Sequence, residues 1–344
     1  MKTIRIILFQ ISKRQVILAS VFFFSGLIIS GIFLISIYFG PIGDTAEDKI
    51  ISITAGMDSH KIAQLLAEEK LIKSQSAFLI LARLNGSGRR LKAGQYKLNA
   101  KLSVVQILRK LVNGEVIKQR LVIPEGFTIA QMAHLWEAKG LGKASDFDRA
   151  TKDANLLQKY RIAAYSLEGY LFPNTYEVTY NVTAEMFIER MLQEFNRNFT
   201  KELRQEADDL GLSVHEIVTL ASIIEKEAKV DYERPIISAV FHNRLRKGWK
   251  LEADPTVLYA LGNPKRNLTY DDLKTNSPYN TYIHKGLPPG PICNPGIASI
   301  IAAVRPDQKP YMYFVAMGNG THYFSKTLNE HRNAKSLAKR HSNL

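Results

Sequence analysis

The sequence predicts an α+β protein with an N-terminal transmembrane helix, a small strand-helix-helix-strand subdomain and a larger α+β domain. Three observations carry this prediction. Residues 16–39 form an uncharged run rich in Ile, Leu, Val and Phe. Residues 47–118 alternate short β-type runs with helical periods, and 119–344 hold longer helical periods around a Pro-, Gly- and Tyr-rich stretch.

The apolar run comes first in the chain. About 24 residues in helical form span roughly 36 Å, enough for a bilayer core. Lys2, Arg5, Lys13 and Arg14 precede it, and Asp44, Glu47 and Asp48 follow it. The positive-inside rule places residues 1–15 in the cytoplasm and the rest of the chain outside. The run is too long for an ordinary signal peptide, and Ser36-Ile-Tyr-Phe-Gly-Pro41 offers no A-x-A-like cleavage site. An uncleaved single-pass anchor in the cytoplasmic membrane is therefore expected. Of 344 residues, 46% are hydrophobic, which supplies material for a real core. The net charge of +14 favours an anionic partner. Nucleic acid is set aside, because the anchor puts most of the chain across the membrane from it. Cys293 is the single cysteine, so no intrachain disulfide and no Cys-rich metal site is available.

In the small subdomain, Ile50-Ile-Ser-Ile-Thr54 reads as a strand. Asp58 and Ser74 are N-caps for two helices, carrying Ile62, Leu65 and Leu66, then Phe78, Leu79, Leu81 and Ala82. Asn85-Gly-Ser-Gly88 breaks the second helix, and Ala93–Leu98 reads as the returning strand. Ser103 opens a further helix that closes at Asn113-Gly114.

In the larger domain, residues 120–126 read as a strand and turn. Thr128-Ile-Ala-Gln131 is a capping box for a helix running to about Lys139. Residues 167–176 read as an aromatic loop, and 184–210 as one helix ending at Gly211. Ser213-Val-His-Glu216 is a second capping box. On its helix Ile217, Leu220, Ala221, Ile224 and Ala228 share one face, with Glu225 and Glu227 at opposite edges and Lys226 toward solvent. A carboxyl at an apolar edge is partly desolvated, which raises its proton affinity and suits a general acid. Periodicity leaves the two glutamates equivalent in this respect. Pro235 opens the next helix, which stops at Gly248. Residues 254–296 read as a loop region rich in aromatic and polar side chains, suited to a sugar cleft. Gly318-Asn-Gly320 between two aromatic runs signals a hairpin, and the C-terminus reads as a basic helix or tail.

Several motifs are incomplete. His215-Glu216 begins a zinc-protease helix, but Thr219 stands where the second histidine belongs. His242, His284 and His322 lack metal spacing, so no metal or other cofactor is expected. Ser336-Leu-Ala-Lys339 lacks the companion motifs of a penicillin-binding protein.

An ordered series of motifs carries a resemblance. It runs Leu167-Glu-Gly-Tyr-Leu-Phe-Pro173, Leu220-Ala-Ser-Ile-Ile-Glu-Lys-Glu227, Phe241-His-Asn-Arg-Leu245, Asp254-Pro-Thr-Val257, Tyr279-Asn-Thr-Tyr282, Gly286-Leu-Pro-Pro-Gly290 and Tyr311 to Phe324. The series resembles the YceG-like family, the MltG-type endolytic murein transglycosylases. The strand-helix-helix-strand subdomain, with Leu91-Lys-Ala-Gly-Gln-Tyr96, resembles a LysM-like glycan-binding module. The resemblance implies a membrane-anchored catalytic domain that cleaves the MurNAc-GlcNAc bond of nascent peptidoglycan and leaves a 1,6-anhydroMurNAc end. Glycan strands are then the substrate, and wall synthases are partners. It implies Glu225 as the catalytic acid, with Glu227 structural or supporting. It makes Glu168, Glu252 and Asp254 candidates for substrate bonds or for orienting the acid. Tyr170, Tyr176, Thr256, Tyr279, Asn280 and Tyr282 are candidates for contacts with sugars. Asn174 and Glu252 depart from the family pattern, where Asp and Gln are common. Two rival readings stand beside this one. One is a hydrolase using water, with Asp254 or Glu252 as the second carboxylate. The other is a non-catalytic wall-binding scaffold.

Overall fold

The computed structural model describes residues 13–262 and 267–342. Most of the expected cytoplasmic segment, residues 1–12, lies outside the described residues. Helix α1 (Lys13–Phe39) contains the expected apolar run, and its Ile17–Phe39 stretch is long and apolar enough to cross a membrane. Chain contacts divide the protein into two compact units, Met1–Gln119 with Thr179–Asn181, and Arg120–Val178 with Val182–Leu344.

In the first unit, β1 (Lys49–Ile53) leads to α2 (Ser59–Glu68) and α3 (Gln75–Leu84). The chain returns as β2 (Gly94–Leu98) and continues to α4 (Val104–Asn113). The two strands pair antiparallel, with Ile51 opposite Tyr96. Ile51 and Ile53 are buried and Ser52 is exposed, so the alternation of the strand sets its inner face. Asp58 and Ser74 cap α2 and α3 by accepting from Lys61 and Ala77 backbone N–H groups. Ser103 and Gln106 form a capping box on α4. Leu66, Phe78, Leu98, Ile107 and Leu111 close the core between these elements.

The second unit begins within β3 (Lys118–Val122), at Arg120, and continues with α5 (Ile129–Ala138), α6 (Ala144–Ala150) and α7 (Ala154–Lys159). Strand β4 (Thr175–Thr179) pairs with β3. The expected long helix over 184–210 is two helices, α8 (Ala184–Asn198) and α9 (Lys201–Asp209). Thr200 breaks it, because its side chain accepts from Leu203 N–H and caps a new helix, while Phe199 is buried at the bend.

Helix α10 (Val214–Glu227) is the central element, against which α11 (Arg234–Arg246) and α13 (Ile297–Val304) pack. Every residue from Ile217 to Ile224 is buried, so the expected single apolar face is replaced by burial on all sides. Its two polar core residues are satisfied locally: Thr219 Oγ1 donates to His215 O and Ser222 Oγ to Thr219 O. Between α11 and α13, the stretch expected to be loop contains α12 (Asp254–Ala260). Pro255 is compatible with a helix there because it sits in the first turn, where no backbone N–H is needed. The chain ends in the antiparallel hairpin β5 (Tyr313–Ala316) and β6 (His322–Ser325), then α14 (Leu328–Ser342).

Trp136 anchors the far side of this unit's core. It is 1% exposed and stacks on Phe187 at 5.2 Å, with Phe147 at 5.7 Å. Trp136→Ala should cost about 3–5 kcal/mol in denaturant unfolding, as for other large core aromatics. A loss below about 1 kcal/mol would show that this aromatic cluster does not support the unit.

Candidate active site at the end of helix α10

Helix α10 leaves the core at its last turn, where Glu225, Lys226 and Glu227 point in different directions. Carboxylates there meet the negative end of the helix dipole, so each charge needs an external partner. Glu225 has two. Its Oε2 accepts from Gly296 N–H at 3.0 Å and its Oε1 lies 3.6 Å from Arg234 Nη2. Its side chain is only 8% exposed. Arg234 is held in turn by Ser299 Oγ and Asp231.

Glu227 stands in another environment. Burial pushes its carboxyl up to about 8, the negative charge of Asp254 adds to this, and Arg244 opposes it. Asp254 opens α12 and accepts from Tyr282 Oη at 2.5 Å. Glu252 adds a further carboxylate, 3.7 Å from Arg244 Nη1. Arg244 is buried and immobilised, donating from Nε to Met312 O at 2.8 Å and from Nη1 to Leu251 O at 2.5 Å. Its guanidinium is thus largely committed to backbone carbonyls and to Glu252. Glu227, Glu252, Asp254, Tyr282 and Arg244 therefore form one electrostatically connected group.

Glu252 is held in a strained backbone, at φ +50. Its N–H donates to Thr281 O, and Thr281 Oγ1 accepts from Ala253 N–H and bonds Thr256 Oγ1 at 2.9 Å. This network fixes the 251–256 turn against the 279–282 loop. Thr256 and Asn280 are fully buried; Asn280 Nδ2 donates to Leu273 O and Thr275 O, and its Oδ1 accepts from Tyr282 N–H. Both residues shape the wall that holds Asp254 and Tyr282, instead of facing a ligand as expected from sequence.

Tyr170 and Tyr176 are also in the core, at 3% exposure each. Tyr170 Oη donates to His215 Nδ1 at 2.9 Å, while His215 Nε2 donates to Pro289 O, and Tyr176 Oη donates to Phe172 O. The expectation that these rings face sugars gives way to packing, because both hydroxyls find internal acceptors.

Glu168 belongs to a second constellation. It is buried and accepts from Ile129 N–H at 3.1 Å and from Asn294 Nδ2 at 2.7 Å. Burial pushes it up to about 8, with the hydrogen bonds opposing. It borders a cavity of about 670 Å³ that also takes in Lys226, Tyr259, Pro255 and Ile292. Tyr279 lies beside it, its ring 4.9 Å from that of Tyr259. Asn294 is the clamp of this region. Its Oδ1 accepts from Gly169 and Leu171 N–H, and its Nδ2 donates to Phe127 O and Glu168. Gly169 is required at φ +90, because a Cβ there would lie 2.4 Å from Pro291 Cγ.

Arg244, Arg234 and Asn294 were given no role from sequence. One signal was present for Arg244: Ile237, Phe241 and Arg244 recur at helical spacing, which puts this arginine on the buried face of α11. A buried arginine implies nearby acceptors. Among the described residues, no group of three or more His, Cys, Asp or Glu side chains is placed to hold a metal ion.

Two expected outcomes test this geometry. Glu252→Gly should be more stable than Glu252→Ala by about 1 kcal/mol in chemical unfolding, since only glycine adopts this φ without strain. Equal stability of the two variants would remove the claim of backbone strain. Glu168 and Glu227 hold protons more tightly when folded than at the ordinary value of 4.5. Their contribution is therefore complete below 4.5 and is lost as pH rises through about 8. Replacing both with Gln should flatten the fall of stability across that window; an unchanged slope in a series of melts would contradict it.

Comparison with known proteins agrees with the motif series. The sequence model of the YceG-like family matches residues 51–336. The chain is 36% identical over 301 residues to the endolytic murein transglycosylase of Bacillus subtilis, covering 83% of each protein. It is 30% identical over 313 residues to that of Streptococcus pneumoniae D39, covering 82% of this chain and 56% of the relative. A crystal structure of a yceG-like protein from Listeria monocytogenes superposes with a TM-score of 0.59 at 38% identity, covering 84% of this chain and 99% of that one. With the family pattern matched over most of its length and the fold shared with a solved relative, this chain belongs to the YceG-like family.

Proposed function

We propose that this protein is a membrane-anchored endolytic transglycosylase that cuts peptidoglycan glycan strands, with Glu227 as its acid. The relatives named endolytic murein transglycosylases support the reaction class. One arrangement carries the choice of acid: Glu227 stands by Asp254 and Arg244, where burial and the charge of Asp254 push its carboxyl up to about 8, and Asp254 is itself oriented by Tyr282. This reading gives the acid role to Glu227, two positions beyond Glu225, the residue that the family resemblance implies. Glu225 has both oxygens engaged, by Gly296 N–H and Arg234, and serves to lock the end of α10.

In this reading Glu227 protonates the oxygen of the MurNAc-GlcNAc bond. The bond from C1 to that oxygen breaks, and positive charge develops on the ring as an oxocarbenium-like centre. Asp254, oriented by Tyr282, stabilises that charge and keeps the proton on Glu227 until it is needed. The Glu227 carboxylate then takes the proton of the MurNAc C6 hydroxyl as that oxygen attacks C1. A 1,6-anhydro ring closes. The nucleophile belongs to the substrate, so its effective concentration is very high and no activated water is required. Arg244 limits how far the acid's proton affinity rises and holds Glu252 at the rim of the centre.

Helix α1 serves as a single-pass anchor with its N-terminus in the cytoplasm, which confines cutting to glycan close to the membrane and suits an enzyme that ends new strands. The first unit, with its LysM-like order of strands and helices, is read as a glycan-binding module. Wall synthases that make the strands are the expected partners.

The test combines two substitutions with product analysis. Glu227→Gln should lower kcat by at least about 100-fold, as loss of a general acid does. Glu225→Gln should act mainly on stability. Mass spectrometry of the digest should show anhydro ends, and cleavage should decline as pH rises past about 8. Products lacking the anhydro end would favour the hydrolase, and an active Glu227→Gln protein would remove Glu227 from the acid role.

A further inference from the structure

The chain has two tryptophans with opposite fates. Trp136 is in the core, whereas Trp249 is 41% exposed. Its backbone is nevertheless fixed. Helix α11 ends in a Schellman motif: Gly248 sits at φ +64, its N–H donates to Leu245 O at 3.0 Å, and Trp249 N–H donates to Arg244 O at 2.9 Å. Two residues on, Leu251 O is held by Arg244. The indole is therefore presented from a backbone clamped on both sides.

The residue after the glycine of such a motif commonly folds back on the last turn of its helix. Trp249 instead packs against Tyr313, with ring centroids 6.0 Å apart at 58°. Tyr313 is itself braced: His331 stacks on it at 5.1 Å, and the Arg244 guanidinium lies 5.6 Å from its centroid. That arginine is the one beside Glu252 whose charge reaches Glu227. An exposed, preorganised aromatic thus adjoins the acid centre through Tyr313 and Arg244. Lys247 Nζ lies 5.9 Å from the indole and adds positive charge at its edge.

We propose that Trp249, backed by Tyr313 and flanked by Lys247, is a sugar-stacking subsite that grips the glycan strand beyond the bond being cut. The apolar C–H face of a pyranose ring suits a flat aromatic surface, and a rigid indole offers it at little cost in conformational entropy. An enzyme that cuts within strands needs grip away from the scissile bond, and such grip, made equally before and during the cut, lowers KM. This inference rests on the glycan-cleaving reading of the Glu227 centre.

The probe is a preparation of glycan strands stripped of stem peptides, added to the full chain in detergent micelles. Because Trp136 is buried, acrylamide quenching of fluorescence reports chiefly on Trp249. Saturating strands should shield it. Trp249→Ala should raise KM about tenfold, with kcat within about twofold, and Trp249→Phe should recover most of the loss; tenfold corresponds to about 1.4 kcal/mol. Quenching that strands leave unchanged, or a wild-type KM in Trp249→Ala, would overturn the subsite. The quenching arm uses the unmutated protein, so it does not depend on the variants folding. Shielding without cleavage by any variant would keep the subsite and remove the reaction. Cleavage without shielding would do the reverse.

Discussion

Two glutamates occupy the last turn of a helix whose preceding residues, Ile217 to Ile224, are all buried, and the chain has to meet their charge there. The dipole of α10 disfavours both, and the packed core leaves water little room to help. One helix supplies both cations: α11 carries Arg234 near its start and Arg244 near its end. Arg234 is placed against Glu225, and a backbone N–H from Gly296 completes that pair. Arg244 spends its donors on Leu251 O and Met312 O, beside Glu252. Glu227 is left with Asp254 close by and only partial compensation, which pushes its carboxyl up. A single packing arrangement thus gives the two carboxylates different partners.

The same economy governs the loops. Asn294 gathers the turn around Phe127, the segment at Gly169 to Leu171 and its own strand of chain into one buried hydrogen-bonded knot. Glu168 closes that knot at the N-terminus of α5. Since Gly296 reaches Glu225 only two residues beyond Asn294, the knot also sets the end of α10. On the other flank, Thr281 and Thr256 tie the strained turn at Glu252 to the loop that carries Tyr282. Local strain of this kind persists where surrounding bonds over-determine the backbone.

Much of the local structure was legible in the sequence. Asp58, Ser74, Ser103, Thr128 and Ser213 all cap helices where their spacing to the following apolar residues says they should. Capping is a contest among neighbours in sequence, so it can be read there. The break at Thr200 was missed because the helical period continues across it, and only the burial of Phe199 makes the bend favourable. Helix α12 was hidden by the surrounding Pro, Gly and Tyr, which signal loop by composition. Tyr170, Tyr176, Thr256 and Asn280 looked like ligand contacts because polar and aromatic groups in a loop-rich stretch do; their internal acceptors lie on segments that composition does not bring together.

By itself the sequence determined the apolar helix long enough for a membrane, the order of helices and strands within the first unit, and the ordered motifs that mark the YceG-like family. Those depend on length, periodicity and the succession of residue types along the chain. The tertiary structure alone decided the different surroundings of Glu225 and Glu227. Arg234 and Gly296 meet Glu225, while burial, Asp254 and Arg244 act on Glu227, and all of these reach α10 only when the chain is folded.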